Sequence, residues 1–171
     1  REHTTINPGT SGGGMITKID DNCLFMIGTH IAHDCNISSN VIMSNNATLA
    51  GHVTLKENVI IGGLSAVHQF VTIGKYAMIG GMSGVENNII PYGLYYGIRK
   101  NLRGLNLIGL KRKGLDKNNI QIIQRAFNII FDPKESITKN IEKLKQNEII
   151  TEVSEIIDFI KSNMQRGVCR V

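Results

Sequence analysis

Between Ile19 and Val85 a large apolar residue recurs at every sixth position: Ile19, Phe25, Ile31, Ile37, Met43, Leu49, Leu55, Ile61, Val67, Ile73, Ile79 and Val85. Four positions after each of the first eleven stands a small or β-branched residue: Cys23, Thr29, Cys35, Val41, Ala47, Val53, Val59, Ser65, Val71, Ala77 and Ser83. A period of six is neither the 3.6 of a helix nor the alternation of an ordinary strand. It predicts a mainly β chain, a parallel β-helix in which each hexapeptide supplies one short strand and one corner of a prism. The large residue points inward and the small one fits beside it near the corner. Asn and Gly gather where corners fall, at Asn22, Asn40, Asn45, Asn46, Asn58, Gly62, Gly63, Gly74, Gly80 and Gly81, because bends favour residues that tolerate left-handed backbone.

The pattern fails at both ends. Pro8 to Met15, with Gly12-Gly13-Gly14, reads as a loop thrown out of one coil, either simply flexible or able to approach a ligand closely. After Val85 the period lapses, so the prism is expected to end there and the remaining chain to cap its open edge. Asp116 is placed to N-cap a helix bearing Ile120, Ile123, Phe127 and Ile130, stopped at Asp132-Pro133. Ile137, Ile141 and Leu144 mark a second helix, and Val153, Ile156, Ile157, Ile160 and Met164 a third. Two domains follow: a β-helix over 1–91 and a helical domain over 92–171.

Charge divides the same way. Residues 1–91 carry 4 Lys/Arg against 6 Asp/Glu, and residues 92–171 carry 15 against 8, leaving +5 over the 171-residue chain. The basic half suits an acidic or phosphorylated partner, but it lacks the interleaved basic and aromatic residues of single-strand binders and any zinc-finger spacing, so nucleic acid is not expected. No apolar run approaches the roughly 20 residues of a membrane span, which predicts a soluble, cytoplasmic protein. Cys23, Cys35 and Cys169 form no disulfide framework. Arg1 is not an initiator methionine, so the chain is expected to be processed or to be the C-terminal part of something longer.

Stacking at 18 residues gathers the candidate chemistry. His33, Gly51 and Gln69 fall in one column, Asp34, His52 and Phe70 in the next, and Ala32, Ala50 and His68 on the other side. With His30 close by, one corner holds imidazoles, a carboxylate, an amide and a glycine backbone. Surface histidines on polar turns would produce the same list by chance. Acyl transfer to an alcohol needs this set: a base near neutral pH, a carboxylate to orient it and a free N–H for the oxyanion. Clustered imidazoles also admit zinc, although Asp34 and Gln69 dilute the ligand set. Cys35 lies in the inward column, which favours packing over nucleophilic chemistry. Gly109-Leu-Lys-Arg-Lys-Gly114 places three cations together, a solvated helix end or a contact for a diphosphate or acidic protein.

Specific segments carry a resemblance. They are Arg1-Glu2-x-x-Thr5-Ile6-Asn7-x-Gly9-Thr10, His30-Ile-Ala-His33-Asp34-Cys35, Asn45-Asn46-Ala-Thr48-Leu-Ala-Gly51-His52-Val53, Gly62-Gly63-x-x-Ala66-Val67-His68-Gln69-Phe70 and Gly109-Leu-Lys-Arg112-x-Gly114. With them the chain resembles the acyl-carrier-protein-dependent UDP-N-acetylglucosamine O-acyltransferases of lipid A synthesis. The resemblance implies a left-handed helix and a homotrimer with sites between neighbouring prisms. It implies His33 as general base toward the sugar 3-hydroxyl, Asp34 as its orienting carboxylate and the Gly51 N–H as oxyanion donor. His30, His52, His68 and Gln69 would position the sugar nucleotide and the acyl-phosphopantetheine arm, and Asn106 and Arg112 would reach the nucleotide. Gly81 matches a position that sets acyl length. No cofactor and no metal is implied. Lys113 stands where a second arginine is common and Ile108 where an acidic residue often stands, so nucleotide contacts are expected to differ in strength. Family members also carry further N-terminal coils with an acidic residue and a lysine that hold substrates. Rival readings are the later N-acyltransferase of the same pathway, a zinc-dependent hydratase and a non-catalytic trimeric scaffold. Arg99, Lys100 and Arg103 are the expected dock for acyl carrier protein.

Overall fold

Each hexapeptide lays down a two-residue strand whose second residue points inward, and then turns a corner. The computed structural model describes residues 1–97, 102–145, 149–163 and 166–171. The strands are β1 (Thr5–Ile6), β2 (Lys18–Ile19), β3 (Leu24–Phe25), β4 (His30–Ile31), β5 (Asn36–Ile37), β6 (Ile42–Met43), β7 (Thr48–Leu49), β8 (Thr54–Leu55), β9 (Ile60–Ile61), β10 (Ala66–Val67), β11 (Thr72–Ile73), β12 (Met78–Ile79) and β13 (Gly84–Val85). They sort into three parallel sheets, β1-β4-β7-β10-β13, β2-β5-β8-β11 and β3-β6-β9-β12. These are the three faces of a prism, with residues 18 apart in register, as in His30↔Thr48↔Ala66↔Gly84.

Three inward columns form the core: Ile31, Leu49, Val67 and Val85; Ile37, Leu55 and Ile73; Met43, Ile61 and Ile79, all buried. From Thr29 onward the small-residue column is buried beside them, with Thr29, Ser65 and Ser83 the polar members. Ser65 and Ser83 satisfy their hydroxyls on the Gly80 carbonyl at 2.9 and 2.7 Å, as buried hydroxyls require. One residue per corner has left-handed backbone: Asn22, Gly28, Asp34, Asn40, Asn46, His52, Asn58, Leu64, Phe70, Tyr76 and Met82, with φ between 56° and 68°. Asn and Gly adopt this conformation readily. Leu64, Phe70, Tyr76 and Met82 do so only because the coil's ladder on both sides over-determines their backbone.

The loop at Pro8 to Met15 is visible in the register: Thr5 pairs with His30, 25 residues on rather than 18. At the other end the expectation that the prism stops after Val85 is corrected. Ile89 bridges Ile73, and β14 (Gly93–Tyr95) pairs with β12, both at an offset of 16, so two shortened sides follow. An antiparallel strand, β15 (Leu102–Leu105), then closes that sheet edge. A period search tuned to six misses both.

Among the described residues four helices follow: α1 (Leu107–Arg112), α2 (Lys117–Ile130), α3 (Ile137–Glu142) and α4 (Thr151–Ser162). Asp116 caps α2 by accepting the Asn119 N–H at 2.7 Å, and α2 buries Ile120, Ile123, Phe127 and Ile130. Leu144 lies just past α3, and Met164 lies outside the described residues. The helix end read at Gly109-Leu-Lys-Arg-Lys-Gly114 is that of α1, whose start no apolar stripe marks. Its Gly109-Leu-Lys-Arg segment carries too few apolar residues to announce a helix by period. Among the described residues two ion pairs hold α4, Lys75–Glu155 to a prism corner and Lys113–Glu152 to the end of α1, both at 2.6 Å. Among the described residues no helix is long and apolar enough to cross a membrane.

Candidate active site

The corner between β4 and β5 is rebuilt one coil later between β7 and β8, and this repetition brings His33, Asp34, Gly51 and His52 together. Asp34 lies at the centre. Its carboxylate accepts the Thr10 N–H at 2.9 and 3.1 Å, the Thr10 hydroxyl at 2.6 Å and His33 Nδ1 at 2.8 Å. The Thr10 hydroxyl, aided by the Thr10 N–H, His33 and the nearby His52, outweighs desolvation and holds the Asp34 carboxyl down at about 2. An ionised carboxylate only accepts, so His33 Nδ1 carries a proton, and in the neutral imidazole Nε2 keeps the lone pair. That nitrogen lies over Gly51: a Cβ there would stand 2.7 Å from Nε2 and 2.6 Å from Cε1. Among the described residues the Gly51 N–H has no backbone acceptor. The equivalent N–H groups at the other corners share that freedom, and what distinguishes Gly51 is the imidazole above it.

His52 sets its ring at right angles to His33, 5.1 Å between centroids, and stacks on Phe70 at 4.5 Å. His52 Nε2 is 4.0 Å from Asp34. His68 and Gln69 are exposed on the same corner one coil further. His30 is on β4, with Nδ1 2.8 Å from the Thr5 hydroxyl. His33, Asp34 and His52 present three potential metal-ligand atoms within 4.8 Å of one another. Ligation would have to displace donors already held by Asp34. Cys35 is buried beside this corner, its thiol pushed up by burial, and its Sγ reaches the Ala50 carbonyl.

The remaining expected residues lie on other edges of the same prism. Asn106 and Arg112 line a groove of about 560 Å3 beside β6, β9 and β12, together with Ile42, Ile60, Met78 and Ile108. Both functional groups of the Asn106 side chain are engaged: it accepts the Gly109 N–H at 3.0 Å, capping α1, and donates to the Tyr76 carbonyl at 2.9 Å. Lys113 turns away from the groove to Glu152 and to the Tyr92 hydroxyl at 3.2 Å. Burial opposes ionisation of Glu152, but the Lys113 hydrogen bond prevails and holds its carboxyl below the ordinary range. Ile108 is exposed on the groove wall. Gly81 is exposed at the third corner, where a Cβ would meet the Gly63 carbonyl at 3.2 Å. Arg103 is exposed on β15; Arg99 and Lys100 lie outside the described residues.

Two contacts at this corner were not foreseen. Thr10 ends the Thr5-Ile6-Asn7-x-Gly9-Thr10 segment, but only the path of the loop shows that it caps Asp34. Arg166 comes from the C-terminal segment and donates to His68 Nδ1 at 2.6 Å across 98 residues of sequence, a distance no local pattern bridges.

The ionisation of Asp34 has a pH consequence. A carboxyl depressed in the folded state stabilises the fold above its ordinary value, about 4, and loses that contribution as pH falls toward about 2. The Thr10 amide should therefore stay protected from hydrogen exchange at pH 5 and become exchangeable only on approach to pH 2. Loss of protection already at pH 5 would contradict the Asp34 clamp.

Residues 88–169 match the family model for UDP-N-acetylglucosamine O-acyltransferase, domain 2. The chain is 48% identical over 170 residues to an acyl-[acyl-carrier-protein]–UDP-N-acetylglucosamine O-acyltransferase of Caulobacter vibrioides, covering 99% of this chain and 65% of that protein. The LpxA structure from Acinetobacter baumannii superposes with a TM-score of 0.93 at 36% identity, covering 99% of this chain and 66% of that one. The UDP-N-acetylglucosamine acyltransferase of Campylobacter jejuni does so at 0.87 and 37% identity, covering 99% of this chain and 69% of that one. The chain thus spans a little under two thirds of the length of the curated relatives it matches. Matched along nearly its whole length, at 37% identity and over 69% of the Campylobacter jejuni protein, the chain is a member of the UDP-N-acetylglucosamine O-acyltransferase family.

Proposed function

We propose that the chain provides the catalytic corner of an enzyme that transfers a 3-hydroxyacyl group from acyl carrier protein to the 3-hydroxyl of UDP-N-acetylglucosamine. The observation that carries this reading is His33 Nδ1 fixed on a buried carboxylate at 2.8 Å, which leaves Nε2 of the neutral ring over the Gly51 backbone to act as base. His33 removes the hydroxyl proton as the oxygen attacks the thioester carbonyl, and the Gly51 N–H receives the developing oxyanion. As the tetrahedral intermediate collapses, the proton held by His33 passes to the departing phosphopantetheine thiolate. No metal or resident cofactor takes part in this scheme. The cytoplasm, where acyl carrier protein and the sugar nucleotide would be met, is the compartment it assumes.

The distribution of residues favours a homotrimer with shared sites. The outward positions of one prism face are apolar, Leu24, Ile42, Ile60, Met78 and Leu94, whereas the other faces present Lys18, Asn36, Thr54 and Thr72, or His30, Thr48, Ala66 and Gly84. His33 and Arg112 stand on different edges, so one site uses both only if Arg112 is supplied by a neighbour. Such a contact joins unlike surfaces and closes as a ring. We therefore expect His33→Ala and Arg112→Ala each to be inactive or weak when pure, and their co-expressed mixture to recover about a quarter of wild-type transfer, the fraction of random neighbour pairs that are intact. A mixture no more active than its components would contradict sharing.

A further inference from the structure

The chain leaves its six-residue register between Pro8 and Met15, and this excursion returns directly over the carboxylate of Asp34. Three of its contacts converge there. Thr10 donates both its N–H and its hydroxyl, at 2.9 and 2.6 Å to the nearer oxygens. The Gly13 backbone packs so closely that a Cβ would stand 2.1 Å from Asp34 Cγ. Thr17, just past the excursion, accepts the Asp34 backbone N–H on its hydroxyl at 2.9 Å, holding the left-handed backbone of that residue at φ 60°. The Asp34 side chain is left 1% exposed while His33 remains 39% exposed.

A buried carboxylate needs donors on most of its lone pairs to remain ionised. Thr10 supplies two and His33 the third. Among the described residues the titratable groups facing Asp34 are His33 and His52; no lysine or arginine is paired with it there. The hydroxyl therefore does what a cation does elsewhere: it keeps Asp34 an acceptor, and an acceptor leaves His33 only one productive tautomer. With the hydroxyl removed, Oδ2 is freed to swing toward His52, which lies 4.0 Å away.

We propose that Thr10 is a positioning residue of this enzyme, and that the 8–15 excursion exists to place it: it locks Asp34 so that His33 presents Nε2 to the substrate hydroxyl. The proposal rests on the reading of His33 as general base. It assigns the glycines of the loop to close packing on the carboxylate, and it predicts that Thr10 acts on turnover rather than on affinity for the sugar nucleotide.

The test uses Thr10→Val, which keeps the shape and removes the hydroxyl, and Thr10→Ser, which restores it. For the valine variant kcat should fall about tenfold, the equivalent of one lost hydrogen bond to a charged group, with KM for UDP-N-acetylglucosamine within about twofold of wild type. The serine variant should recover most of kcat. In parallel, the imidazole nitrogens of His33 are read by 15N NMR on the same proteins. Wild type and Thr10→Ser should give the Nδ1–H form, and Thr10→Val a mixture of tautomers. Ring signals unchanged in the valine variant overturn the proposal whatever the rates. A serine variant as impaired as valine also overturns it, because the role would then belong to the methyl group and to packing. If the chain transfers no acyl group either alone or extended with the N-terminal coils of a relative, while its ring signals respond as expected, the acyltransfer reading falls instead, and the two failures are told apart.

Discussion

Replacing His33 with alanine is expected to lower acyl transfer by about a thousandfold, within the range assigned to a positioned general base, while leaving the fold in place. The expectation comes from where the ring is. Its Nδ1 is committed to Asp34 at 2.8 Å and its remaining nitrogen faces the open side over Gly51. His52, the nearest alternative base, is stacked on Phe70 with its ring perpendicular to His33, so it is not oriented to replace it. The ring is part of a corner rather than of the inward columns, so its loss opens no core cavity and the thermal midpoint should move little. The measurement is the initial rate of transfer alongside circular dichroism melting. A variant that keeps more than about a tenth of the activity would place the base elsewhere.

Gly51→Ala is expected to cost nearly as much, about a hundredfold in kcat, the scale of misplacing a reacting group by about an ångström. The backbone at Gly51 does not lie in the left-handed region, so alanine meets no conformational strain there. What it meets is His33: the added Cβ would stand 2.6 Å from Cε1, 2.7 Å from Nε2 and 3.2 Å from Nδ1. The ring has to move, and the movement carries the base away from the N–H that receives the oxyanion. Because both effects run through His33, the Gly51→Ala/His33→Ala double variant should be no slower than His33→Ala alone. Rates that multiply in the double variant would show that Gly51 acts through something other than the imidazole above it.

Much of this corner was legible in the sequence because stacking at a fixed interval converts spacing into proximity. Once Ile31, Leu49 and Val67 are read as one column, His33 above Gly51 and Asp34 beside His52 follow by counting. The same counting fails wherever the coil changes length. It did not place Thr10 on Asp34, since the excursion adds residues to one coil and its return path depends on the packing of Gly13. Nor did it foresee the shortened sides at Ile89 and Tyr95, or where α1 starts, which is set by Asn106 bonding to Gly109 and Tyr76 rather than by an apolar stripe. Arg166 reaches His68 only because the C-terminal segment bridges back to the prism through Asn88↔Val168. Leucine, phenylalanine and methionine at left-handed corners run against local preference, and only the ladder on either side of each corner explains them.

Lys113 illustrates how one position takes its meaning from the fold. Beside Arg112 it reads as a second cation for a diphosphate, but its ammonium lies among Glu152 and the rings of Tyr92 and Tyr76, at 5.2 and 5.8 Å. It binds α4 to the end of the prism. Arg112 is left to face the groove, and the exposed Ile108 beside it supplies apolar surface there.

The most direct measurement of the central claim is transfer of a labelled 3-hydroxyacyl group from acyl carrier protein, with UDP-N-acetylglucosamine and its 3-amino analogue offered together and the product resolved as ester or amide. The expected product is the 3-O ester, lost in His33→Ala and unaffected by a metal chelator. An amide product, or ester formation that survives loss of His33 or stops on chelation, would contradict it.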